Sequence, residues 1–209
     1  MSYLSASEYE AYGLEATTPA AMVGAASSVI DTHCRRDTLE VAQYQERIRL
    51  SSGRNTARLT YLPLAMIAPA TTPILSARAR YMTPRRGEDL DAVEWVWAVA
   101  QVFQLPGTWT DLDPTAIDFC ADTGELTLGS NLLGLSFSEL EITYNAGLAS
   151  IPDPIKFACA QVVRNLLATP ALNVRTGNLD RMHLQYFADT LLDQTVRAAL
   201  APYVAQKVG

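Results

Sequence analysis

Hydrophobic positions along this chain recur with two periods, and the changes between them divide it into three stretches. From Thr18-Pro19 onward, Met22, Ala26, Val29, Ile30 and His33 return at helical spacing up to Cys34, which predicts a first helix over 18–36. Its other positions are small (Ala20, Ala21, Gly24, Ala25, Ser27, Ser28), so it should pack closely on another helix. Between about Glu40 and Gly147 the period becomes two. Tyr44, Ile48 and Leu50 alternate with Gln43, Gln45, Arg47 and Arg49, and Ser52-Gly53-Arg54-Asn55 reads as a turn before the next strand. Leu75, Ala77, Ala79 and Tyr81 alternate with Ser76, Arg78 and Arg80. Ile117 and Phe119, the turn Asp122-Thr123-Gly124, then Leu126 and Leu128 predict a hairpin. Trp95, Trp97, Val99 and Phe103 fit a strand, with a helix as the alternative.

The third stretch opens on the best-defined boundary. Leu140, Ile142 and Tyr144 alternate with Glu139, Glu141 and Thr143, as in a half-buried strand, and Asn145 and Gly147 end it. Asp153 then offers a cap and Pro154 a first helical position that lacks an N–H no helix would have used. Ile155, Cys159, Val162, Val163, Leu166 and Leu167 form the stripe of a helix from Asp153 to about Ala168, closed by Thr169-Pro170. After a polar link at Asn173–Asn178, Leu184, Phe187, Leu191, Leu192, Val196 and Leu200 predict a last helix from about Asp180, stopped by Pro202. The expected fold is α+β in a single domain. Residues 1–17 form an N-terminal arm, the helix over 18–36 packs with two C-terminal helices over 153–201, a largely antiparallel β region spans 40–147, and 202–209 is a tail.

The strand Glu141-Ile142-Thr143-Tyr144-Asn145-Ala146-Gly147 followed by Ile151-Pro152-Asp153-Pro154-Ile155-Lys156 resembles the head-tail connector (adaptor, head-completion) proteins of tailed bacteriophages and prophages. Val29 to Arg36 is similar to the end of that family's first helix. Tyr44 to Leu50 through Arg58 to Leu64 is similar to its following β-hairpin and Leu/Pro strand, and Tyr186 to Tyr203 to its closing helix. Residues 82–116 match nothing in that pattern and read as an insertion between strands. The resemblance implies a structural virion protein of the neck, assembled in the host cytoplasm. It implies a homo-oligomeric ring, commonly of twelve subunits, beneath the portal protein, holding a stopper or tail protein and extending the channel through which DNA passes without sequence-specific binding. It also implies that the C-terminal tail, with Tyr203, Val204, Gln206 and Lys207, docks on the portal.

Composition fits that expectation. Half of the 209 residues are apolar (49%) and only 18% charged, which argues for a packed core against disorder. No apolar run reaches the ~18 residues of a membrane span, and the first residues lack a basic-then-apolar leader. Three widely spaced cysteines (Cys34, Cys120, Cys159) read as reduced thiols. The net charge of −6 is segregated: Arg35–Arg86 carries ten arginines against three carboxylates, a balance of +7, and the remainder six basic against nineteen acidic groups, a balance of −13. An acidic sum disfavours wrapping DNA, because phosphate binding follows cation count, and suits a surface past which DNA slides.

The catalytic inventory is thin. His33 adjoins Cys34, but neighbouring helical residues point about 100° apart and build no nucleophile–base pair. Both histidines read as helix residues. Glu88, Asp89, Asp91 and Glu94, and Asp111 with Asp113, match no calcium-loop pattern. No enzyme, metal or cofactor is expected; the alternatives are another neck or tail ring component, such as a stopper or tail terminator, or a small hydrolase. The candidate inter-subunit residues are Arg47, Arg49, Arg78, Arg80, Glu139 and Glu141, whose period-two spacing puts charges on shared strand faces. Cross-strand pairing within the chain is the simpler reading of them, worth about 0.2–1 kcal/mol per pair. Leu64, Met66 and Ile67 join them, from an apolar run bracketed by Pro63 and Pro69 that is either an exposed contact or a loop tucked under its own sheet.

Overall fold

A computed structural model describes residues 2–50, 55–81, 108–129, 137–168, 176–179, 182–185 and 191–206, with backbone alone for 176–179 and 182–185. Its centre is the strand foreseen at the boundary, here β7 (Glu139–Ala146), which pairs on one side with β1 (Ala42–Arg49) and on the other with β3 (Ile74–Arg80). The strand β4 (Trp109–Leu112) adds to β3, giving an antiparallel sheet in the order β1-β7-β3-β4. Alternation along β7 sends Leu140, Ile142 and Tyr144 into the core, where each is fully buried. A second sheet, β2 (Thr56–Arg58), β6 (Glu125–Thr127) and β5 (Asp118–Phe119), shares that core through Ala57, Leu126 and the flanking Leu59, Ile117 and Leu128.

The β5–β6 hairpin forms as expected, its turn closed by Gly124, whose φ of +67° is one that L side chains rarely adopt. The expected β1–β2 hairpin does not form. Strand β1 pairs with β7 along its whole length, a longer ladder than the three-residue β2 could offer it, and β2 pairs with β6. Residues 109–116, expected within an insertion, supply β4 and a 3-10 turn at Pro114–Ala116. The expected strand or helix around Trp95–Phe103 lies outside the described residues.

Among the described residues, three α-helices belong to the other unit: α1 (Ala20–Cys34), α2 (Asp153–Ala168) and α3 (Gln194–Leu200). The chain divides into this helical unit, residues up to Glu40 with Ala149–Ala205, and the β unit, Val41–Leu148. As the small residues of α1 predict, α1 packs on α2: Ser27 Oγ lies 3.7 Å from Cys159 Sγ, and Val23, Ala26 and Ile30 of α1 and Ile155, Ala158 and Val162 of α2 are all buried. The third helix packs on α2 through the unit's core, with Val196 and Leu200 buried.

Three details of the helical unit differ from expectation. Asp153 is the first helical residue, not the cap; the Ile155 and Lys156 amides donate to the Pro152 carbonyl, and the Asp153 carboxylate accepts from the Tyr12 hydroxyl at 2.7 Å. Residues 2–17 are packed: Tyr3, Leu4, Tyr9 and Leu14 are buried, the Tyr3 amide donates to Ser27 Oγ, and Lys156 pairs with Glu8. The last helix is short. A hairpin of β8 (Thr176–Leu179) and β9 (Met182–Gln185) occupies the first part of its expected span, and Asp193 caps α3 by accepting from the Val196 amide at 2.7 Å.

Candidate assembly interface

Five of the six charged candidates meet on one face of the four-stranded sheet. Antiparallel register sets Arg47 and Arg78 on either side of Glu141, and Arg49 and Arg80 on either side of Glu139, with all these side chains opposite the core face. Glu139 accepts from Nε of Arg47, from its Nη2 at 3.0 Å, and from Nε of Arg80 at 2.6 Å. Glu141 accepts from Arg78, with Nε at 2.9 Å and Nη2 at 2.6 Å, and from Gln45 Nε2 at 3.0 Å. The cross-strand pairing weighed from the sequence is therefore present. A neighbour meeting this face would meet both signs of charge.

Over these groups lies the indole of Trp109, its ring centroid 4.6 Å from the guanidinium carbon of Arg80, 5.0 Å from that of Arg78 and 5.4 Å from that of Arg47. Each contact is a cation–π interaction of about 0.5–1 kcal/mol where solvent remains. The sequence reading missed Trp109; the signal was Trp109 and Asp111 alternating with Thr110 and Leu112, a period of two beside the arginine strands. Burial grades the network. The Glu139 side chain is 11% exposed and that of Arg80 18%, whereas Arg47 is 51% and Arg78 46% exposed. The Arg47 guanidinium, chiefly, and that of Arg80 hold the Glu139 carboxyl below its ordinary range against the opposing effect of burial, and Glu139 in turn raises Arg47. Arg49 is exposed at the end of β1 and makes no ion pair with the described residues.

The apolar run at 62–70 is divided. Leu64 is buried, bridges to Ala146 and belongs to the β core, so it is the tucked part of the loop. Its neighbours are pinned: the Ala65 amide donates to Asn145 and the Gly147 amide to Pro63. Met66 and Ile67 project, 64% and 49% exposed. At the C-terminus Tyr203 and Val204 are half-buried, and the Ala205 amide donates to the Cys34 carbonyl at 2.9 Å, tying the chain to the end of α1. Gln206 is exposed; Lys207 lies outside the described residues.

Among the described residues the groups weighed for catalysis do not converge. Cys34 is buried and its thiol is pushed up to about 11 by burial, chemistry opposite to that of an activated nucleophile. His33 is half-buried in the last turn of α1, and His183 lies on β9 instead of a helix. Asp111 sits on β4, whereas Asp113 caps the following turn by accepting from the Thr115 amide at 2.9 Å. The two carboxylates thus have separate tasks. Among the described residues no group of three potential metal ligands occurs, and no helix is long and apolar enough to cross a membrane. The carboxylates from Glu88 to Glu94 lie outside the described residues.

No protein-family model matches the chain, and no curated protein matches it significantly.

Proposed function

We propose that this chain is a structural subunit of a ring that connects the DNA-filled head of a tailed phage to its tail, seated beneath the portal protein. The observation that carries the reading is the junction of β7 and α2, where the central strand of a sheet runs within seven residues into the middle helix of a helical unit built from both ends of the chain. The resemblance is carried chiefly by that junction, and around it stand an N-terminal helix, an antiparallel sheet and C-terminal helices, an α+β layout. An assembly part also explains a polar sheet face whose arginines, carboxylates and indole are spent on one another instead of lining a cleft.

In this reading the ring closes through heterologous contacts, one patch on each copy meeting a different patch on the next. Many copies then engage the portal together, so weak individual tail contacts, through Tyr203, Val204, Gln206 and Lys207, sum to firm attachment by multivalency. The acidic excess outside the arginine-rich segment leaves the channel poor in phosphate-binding cations. A stopper or tail protein attaches on the opposite side. The test is genetic and microscopic: particles produced without this chain accumulate as DNA-filled heads separate from tails. Normal, tailed, infective particles in its absence would refute the proposal.

A further inference from the structure

Both outer strands of the four-stranded sheet have an open edge among the described residues. Backbone alternation identifies the groups along each. The Leu50 amide donates to Ser138, so the even-numbered residues of β1 turn their N–H and C=O toward β7 and Gln43, Gln45, Arg47 and Arg49 turn theirs outward. At the other side the Ser138 amide donates to the Arg80 carbonyl. Arg80 and Arg78 therefore face β7, Ala79 and Ala77 bond Thr110 and Leu112, and Trp109 and Asp111 point their backbone groups outward. An eight-residue edge strand is longer than most strands, and an open one is a template for a further strand.

We infer that the β1 edge of one copy pairs antiparallel with the β4 edge of the next, continuing one sheet from subunit to subunit. The inference rests on the ring reading and names its contact. Strand direction permits it, because the order β1-β7-β3-β4 alternates throughout, so a following β1 stands antiparallel to β4. The contact is heterologous, two different edges of the same sheet, as a cyclic assembly requires. Charge selects the register. With Arg47 opposite Asp111 of the neighbour, Arg49 falls opposite its Trp109, and all four side chains lie on the polar face. Arg49, without an ion pair among the described residues, then gains an indole, the partner that Trp109 already offers to Arg47, Arg78 and Arg80. Asp111, which faces Arg78 within its own chain, gains a second guanidinium.

Hydrogen exchange on the full chain, compared between the dispersed form and the assembly formed alone or on the cognate portal protein, reads this contact amide by amide. The amides of Arg47, Arg49, Trp109 and Asp111 slow at least tenfold on assembly, whereas those of Gln43 and Gln45 keep their rate. In parallel, Arg49→Pro removes an outward donor without removing a rung within the sheet and abolishes assembly, and Gln43→Pro, outside the paired register, leaves it intact. Assembly with unchanged exchange at those four amides overturns the edge pairing and leaves the ring reading standing. Failure of the wild-type chain to assemble under either condition overturns both.

Discussion

Replacing Glu139 by Gln removes one negative charge from between two guanidinium groups while keeping the volume of the side chain. Three hydrogen bonds are affected, two from Arg47 and one from Arg80. Exposed ion pairs are worth about 0–1 kcal/mol, and stripping a partner from a buried charge costs about 3–5 kcal/mol. Glu139 and Arg80 are largely shielded and Arg47 is half-exposed, so the site falls between these limits, and the substitution should cost ~2 kcal/mol. For a chain of this size that lowers Tm by roughly 4–8 °C. The matched substitution Glu141→Gln, whose partner Arg78 is 46% exposed, should cost only about 0.5–1 kcal/mol. Because the folded carboxyl of Glu139 is depressed, the unfolded chain binds the proton more readily as pH falls. The stability Glu139 supplies is therefore fully present above the ordinary carboxylate value of about 4.3 and lost as pH falls through the lower folded value. Urea unfolding of wild type and both variants between pH 3 and about 7 measures all of this. Equal costs for the two substitutions, or a Glu139→Gln penalty that persists undiminished at the acid end, would refute the reasoning.

Tyr144→Phe removes a hydroxyl that donates to Glu46 at 2.9 Å and accepts from the Tyr61 amide at 3.2 Å. It should cost about 1–3 kcal/mol in chemical denaturation, and a neutral result would show that water replaces both partners. Gly124→Ala forces an L side chain into φ +67°, where its Cβ would stand 2.5 Å from Leu62 Cδ2; a loss of about 1–3 kcal/mol is expected, read by thermal unfolding. A native thiol titration should find Cys120 reacting first, since it is exposed and the Thr123 hydroxyl lowers its thiol, with Cys34 and Cys159 reacting only on unfolding.

What the sequence made legible was local. The alternation of Leu140, Ile142 and Tyr144, the Pro-Asp-Pro helix start and the small residues of α1 each carry their structure in their own neighbourhood, and each element is present. Pairing choices were not legible, because the partners that complete β1 lie on β7, far along the chain, and a turn signal such as Ser52–Asn55 carries no information about them. The last helix was overextended for a related reason. Leu184 falls at helical spacing from later leucines, but Met182 and Leu184 also alternate, and Gly177 and Asn178 disfavour helix; the competing period of two was the one realised. The charged face was legible only in part: Arg47, Arg78, Arg80, Glu139 and Glu141 share a period of two, whereas Trp109 was hidden in a stretch that matched no expected element.

The central claim is that identical copies of this chain close into a ring. Size exclusion with light scattering, alone and with the cognate portal protein, joined to negative-stain imaging of the same fractions, measures it directly. The account predicts a particle of many copies, twelve if it follows the family it resembles, around an axial hole, whether it forms alone or only on the portal. A chain that stays monomeric in the presence of portal, or that stops at a twofold dimer, would contradict it.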